Sequence, residues 1–162
     1  NQCAGTGGND GDWGSSASVA RATLRTDNEG WSGTPSGGSA ADKCAKFGAS
    51  RGVSSALTPV FAINDVATLT FMAAPWQGDG TNMTVEVFND EDLSNTFTLS
   101  DTNFKMVAGQ WTTFTTTIIG TGRLQLRFKG DKRFFLDEVR VQTPGADAIE
   151  CIKVPSTINP KL

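Results

Sequence analysis

Histidine is absent from this chain. That removes imidazole from any acid–base chemistry and takes away the commonest zinc ligand. A serine nucleophile would lack its usual base. Cysteine is scarce as well. Cys3, Cys44 and Cys151 are widely spaced with no CxxC pair, so a structural zinc site is not expected. A composition of secreted type makes one disulfide plus one odd thiol the expected use of three cysteines. A strong excess of one charge is also missing. The chain carries 14 Lys and Arg against 17 Asp and Glu, a net charge of −3, and the basic residues form no stripe along it. This argues against nucleic acid as a partner and against a polybasic membrane contact. No run approaches the roughly 20 apolar residues of a membrane helix, so membrane insertion is not expected. The opening Asn1-Gln-Cys-Ala-Gly5 reads as a loop at the start of a mature or trimmed chain. It has no small-residue box of the kind that precedes a lipid-anchored cysteine.

What is present points to strands. The 162 residues suit a single domain with a two-layer core. The hydrophobic share of 38% suits sheets with one wet face each, and 18 glycines imply many turns. Period-two alternation runs through 66–73, 83–87, 124–128 and 133–141, and the Thr-rich 110–119 is strongly β-favouring. Shorter strands are read at 18–26, 43–48 and 97–100. Pro59 makes 57–63 an edge strand or a strand start. Residues 32–41 read as a small-residue loop, and 148–154 as a last strand or a tail. Eight to ten short strands, turns every 8–12 residues and no convincing helix predict an all-β antiparallel β-sandwich of jelly-roll type. One domain fills 1–162, with its core at about 5–141. It is expected to be a monomer.

The segment 133–141 carries the sharpest chemical signal. Strict alternation puts Phe135, Asp137, Val139 and Val141 on one face and Leu136, Glu138 and Arg140 on the other. Asp137 then sits on the more apolar face, where an unpartnered carboxylate is costly. Backbone donors, an arginine or a cation are the partners to expect. The glycine-dense 5–11 is no phosphate cradle, because no strand precedes it and no Gly-Lys-Ser/Thr follows. Of the four tryptophans, Trp76 ends an apolar strand and Trp111 opens one, so both read as core or core-edge. Trp13 and Trp31 stand in polar, Gly-rich loops and are the candidates for stacking on a sugar face. Glycoside hydrolysis needs two carboxyls about 5–10 Å apart. Asp79 is one acid, Asp90-Glu-Asp92 reads as a solvated turn, and Asp137 and Glu138 fall on opposite faces, so catalysis is not expected. Lys129, Lys132 and Arg133 beside Asp131 read as a solvated hairpin tip.

Several segments occur in a telling order: Gly5-Thr-Gly-Gly-Asn-Asp-Gly-Asp-Trp13, Asp27-Asn-Glu-Gly-Trp31, Lys43-Cys-Ala-Lys-Phe-Gly-Ala-Ser50, the run 52–59, the run 67–76, and Arg133-Phe-Phe-Leu-Asp-Glu-Val139. Together they resemble the galactose-binding-domain-like jelly rolls of secreted and surface proteins of Gram-negative gut bacteria, relatives of carbohydrate-binding modules and adhesin-type domains. The likeness covers about residues 5–141. It implies a structural calcium, with Asp137 as the ligand from the last long strand. No acidic residue stands at the matching place on a first strand, so Asp27 and Glu29, with Asn28 between them, are the substitutes. It also implies a disulfide between Cys3 and Cys44, leaving Cys151 free. The function it implies is a non-catalytic carbohydrate-binding or adhesion module, secreted or at the cell surface, with a glycan as partner. A structural spacer or protein-interaction domain is the competing class, and a glycoside hydrolase or its accessory domain the third.

Overall fold

A computed structural model describes residues 13–14, 28–34, 40–42, 44–88 and 96–144. The strands expected at 18–26 and 148–154, the glycine-dense 5–11, Cys3, Asp27 and Cys151 lie outside these. So does the side chain of Cys44. The described residues form an antiparallel β-sandwich of two six-stranded sheets. The first sheet contains β1 (Ser32–Thr34), β4 (Ser54–Leu57), β5 (Phe61–Ile63), β7 (Asn82–Phe88), β9 (Asn103–Lys105) and β11 (Gly122–Gly130). Its order is β1-β4-β11-β7-β9, with β5 paired to the start of β11. The second sheet runs β2 (Ala40–Asp42), β3 (Cys44–Phe47), β12 (Phe134–Gln142), β6 (Val66–Pro75), β10 (Thr112–Ile119) and β8 (Thr98–Leu99).

Alternation decides what each sheet buries. In β6, Ala67, Leu69, Phe71 and Ala73 point between the sheets and are fully buried. Met83 and Val85 of β7 and Leu124, Leu126 and Phe128 of β11 meet them from the other side. Each large side chain buried this way contributes about 1.5–3 kcal/mol. Phe71 is the hub, 5.0 Å from Phe128, 5.3 Å from Phe104 and 5.4 Å from Phe114 between ring centroids. At one margin Gly48 has φ +101, and a Cβ there would collide with the Ser54 hydroxyl. That close approach lets β3 of one sheet pass β4 of the other.

Three features depart from the sequence reading. Residues 57–63 are not one strand: β4 ends at Leu57, between β1 and β11, and β5 begins at Phe61 and, among the described residues, pairs with β11 alone, the edge strand expected there. Pro59 interrupts the ladder. The buried Thr58 bridges the gap: its N–H donates to Leu126 O (3.0 Å), and its hydroxyl accepts from Leu126 N–H (2.9 Å). Within 32–41, read as loop, stand β1 and the start of β2. Among the described residues these short flanking strands pair on one side only, and at three residues each they are too short to show apolar alternation. The third departure is in β12. Its register to β6 shifts between Asp137 and Arg140, and Glu138 sits at φ +50. This β-bulge inverts the phase of the strand. Phe134 and Leu136 before it, and Val139 and Val141 after it, all pack on the inter-sheet core. Phe135 and Asp137 therefore do not share a face with Val139 and Val141. They lie on the outer face of the second sheet.

Candidate binding site

Phe135 turns away from the main core yet is fully buried, so something covers it. It forms a second, smaller cluster on the outer face with Ala74 and Trp13, against which the half-buried Trp76 and Trp111 pack. Register explains the gathering. Phe135 pairs with Lys46 on one side and Ala74 on the other. Thr112 pairs with Ala73, which brings Trp111 beside Ala74. The small Ala74 leaves room above the sheet for the indoles of its neighbours. Trp76 follows β6 and donates its backbone N–H to Arg133 O (3.2 Å) just before β12. Trp13 arrives from far away in sequence and is pinned by Gln77 N–H to its carbonyl (2.9 Å). Its ring meets Trp111 edge-on at 5.5 Å and Phe135 at 5.9 Å, while Trp76 stacks on Phe135 at 5.8 Å. Such pairs contribute about 0.5–1.5 kcal/mol beyond area burial.

A fixed polar group borders these rings. In the turn after β6, Asp79 donates its backbone N–H to Trp76 O (2.9 Å). Its carboxylate accepts three bonds from Arg133: Nε at 2.8 Å, the second guanidinium nitrogen at 3.0 Å and the backbone N–H at 3.1 Å. The Asp79 side chain is only 6% exposed. Burial pushes its carboxyl up, but the hydrogen bonds and charge of Arg133 outweigh this and hold it below the usual carboxylate range. The same bonds raise Arg133. The guanidinium lies over the Trp76 ring at 4.5 Å, and Lys46 Nζ lies over it at 5.4 Å while donating to Gly48 O (2.7 Å). Burial, then the charge of Arg133, lowers the Lys46 ammonium, with Asp79 opposing. A carboxylate so firmly ionised and paired is suited to holding a hydrogen-bonding partner and poorly suited to passing protons.

The residues singled out from sequence fall in different places. Trp13 is buried at 8% exposure and not free in a loop, because the outer aromatic cluster takes its ring. Trp31 is half-buried against the main core, 6.4 Å from Phe47 and 6.5 Å from Phe128, just before β1. Trp76 and Trp111, read as core-edge, line the outer cluster with Trp13, and Trp31 is not with them. Arg133, read as part of a solvated tip, is the partner of Asp79. Asp137 accepts a hydrogen bond on Oδ1 from the Glu138 backbone N–H (2.8 Å), at the bulge itself. Glu29 is exposed in the turn before β1 of the first sheet, and Asp137 is on β12 of the second. Among the described residues no group of three His, Cys, Asp or Glu side chains is placed to hold a metal. Sequence reasoning missed Phe135, Lys46 and the Asp79–Arg133 pair. The only linear signal was the adjacent Phe134-Phe135, one of which must face outward in a strand.

Compared with protein-family models and with curated protein sequences, the chain matches none.

Proposed function

We propose that the protein is a non-catalytic carbohydrate-binding module, of the galactose-binding-like kind its motifs resemble. We place it in a secreted or surface protein and its ligand contact at the outer face of the second sheet. One observation carries this reading. Two partly exposed indoles, Trp76 and Trp111, are held rigid from below by Trp13 and Phe135, beside an ion pair whose two planar groups are locked together. Aromatic surface meets the C–H face of a pyranose, and the partly exposed Arg133 guanidinium, held in place by the buried Asp79, donates hydrogen bonds to its hydroxyls. Rigid side chains lose little entropy on binding. The contact thus differs from the loop site expected at Trp13 and Trp31: Trp13 becomes a support and Trp31 a core residue.

A second reading has its own support. The Trp76 ring already meets Arg133, Lys46 and Phe135, so the cluster also serves as a staple that fastens the segment carrying Trp13 to the sheet. On that reading the domain is a spacer. A glycan array followed by calorimetry separates the two. The binding reading expects a saccharide hit that Trp111→Ala weakens at least tenfold while the circular-dichroism spectrum stays that of the parent. No hit on a broad array, or a hit indifferent to both Trp111→Ala and Trp76→Ala, would leave the spacer reading standing.

A further inference from the structure

The turn after β6 holds a chemically fragile pair, Asp79-Gly80. An aspartate before glycine is the sequence in which a side-chain carboxyl most readily reacts with its own chain. The Gly80 nitrogen attacks Asp79 Cγ and a C–N bond forms. The carboxyl OH leaves with the N–H proton as water. The resulting succinimide takes up water at either carbonyl and opens to aspartate or to isoaspartate. No co-reactant other than water is needed.

The fold demands both residues of the pair. Asp79 holds Arg133 through both carboxylate oxygens and donates its own backbone N–H to Trp76 O (2.9 Å). A Cβ at Gly80 would collide with the Asp131 carboxylate. That carboxylate is fixed in turn by the N–H and side-chain amide of Asn82, at 3.3 and 3.0 Å. A bulkier residue after Asp79 would slow the closure, and the fold denies it one. Protection has to come from the carboxyl itself.

Arg133 supplies that protection in two ways. The reactive form is the neutral acid, whose OH can leave; the carboxylate is a poor electrophile. Arg133 gives this carboxylate three bonds of 2.8–3.1 Å at a side chain only 6% exposed, and so keeps it ionised. The other charged groups acting on it, Lys132 and Lys46, are also positive and favour the same state. With both oxygens held, the carboxyl is not free to turn onto the Gly80 nitrogen. Loss of the guanidinium would leave the burial in place, and burial favours the neutral acid.

We infer that Asp79 is a latent isomerisation site and that Arg133 keeps it closed to reaction. Isoaspartate at this position would add a methylene to the backbone of the turn and withdraw the acceptor that fixes Arg133. The inference is independent of what the aromatic face binds. It is tested by incubating the whole folded chain near pH 6 and quantifying isoaspartate at position 79 by peptide mapping. The same chain unfolded in guanidinium chloride is the reference. The folded parent should isomerise at least about tenfold more slowly than the unfolded chain. Folded Arg133→Met should isomerise at least about tenfold faster than the folded parent, the change in neutral fraction that accompanies one unit of pKa. Should Arg133→Met fail to fold, Arg133→Gln takes its place with the same expectation. Asn82→Ala loosens the turn but leaves the ion pair, and should stay as slow as the parent. The inference is overturned by a folded arginine variant no faster than the parent, by Asn82→Ala as fast as that variant, or by a folded parent as fast as the unfolded chain.

Discussion

Thr58 shows how much one hydroxyl can carry in this fold. Proline at the next position denies the ladder an N–H, and the Thr58 side chain supplies the acceptor that Leu126 N–H needs. Thr58→Val keeps the shape and removes the acceptor, leaving a buried N–H unpaired. The expected loss is about 1–3 kcal/mol in urea denaturation. Thr58→Ser should recover most of it. Asp137 plays a smaller part of the same kind, as acceptor for the Glu138 amide at the bulge. Asp137→Ala should cost about 1 kcal/mol, and Asp137→Asn, which keeps an acceptor oxygen, clearly less. A melting temperature that falls on chelation in the parent but not in Asp137→Asn would instead assign this carboxylate to a cation.

At the scale of elements, the bulge in β12 sets which side chains form the site. Without the extra residue, Val139 and Val141 would face solvent and the strand would lose its hold on the core. Deleting Glu138 should therefore be severely destabilising. Glu138→Gly, which relieves a non-glycine residue at φ +50, should stabilise by about 0.5–1 kcal/mol. Thermal melts of the two variants should move in opposite directions. The same bulge marks where the sequence stopped being legible. Alternation at 67–73, 83–87 and 124–128 depends only on each strand's own residues, and those faces are as read. The phase of 133–141 depends on its register with β6, which no local pattern records. Short strands such as β1 and β9 escaped notice because a strand three residues long shows too little alternation to read. Trp76 and Trp111 stand at the edge of a cluster as read, but the burial of Trp13 was illegible for a related reason. Polar, glycine-rich neighbours describe the backbone around Trp13, not the distant rings of Trp111 and Phe135 on which its indole docks.

At the scale of the molecule, the sandwich has one shared core and two outer faces of different chemistry, one carrying the aromatic cluster and one carrying Arg127 and Lys129 paired to Glu86. The Asp79–Arg133 pair joins the turn after β6 to the start of β12 and so ties the aromatic face together. Its pH dependence follows from the sign of the shift. The folded state holds the Asp79 carboxyl below its unfolded value, so the stabilisation is complete above the ordinary carboxylate range, near pH 4. It is lost as pH falls through the lower folded value. Asp79→Asn should cost about 2–3 kcal/mol at pH 7, and the gap to the parent protein should narrow in acid. Stability curves of the two proteins between pH 7 and pH 2 check this. A gap that stays constant across that range would mean that the carboxylate's charge contributes nothing.

Binding at the aromatic face is tested most directly by the indole N–H signals of the four tryptophans. They are followed by nuclear magnetic resonance as the saccharide identified on the array is titrated in. The signals of Trp76 and Trp111 should shift or broaden in proportion to occupancy. Trp13 should respond less, as a support beneath them, and Trp31, packed on the main core away from the outer face, should stay still. Movement of Trp31 with Trp76 and Trp111 unmoved, or no movement of any indole at saturating saccharide, would contradict binding at the outer aromatic face.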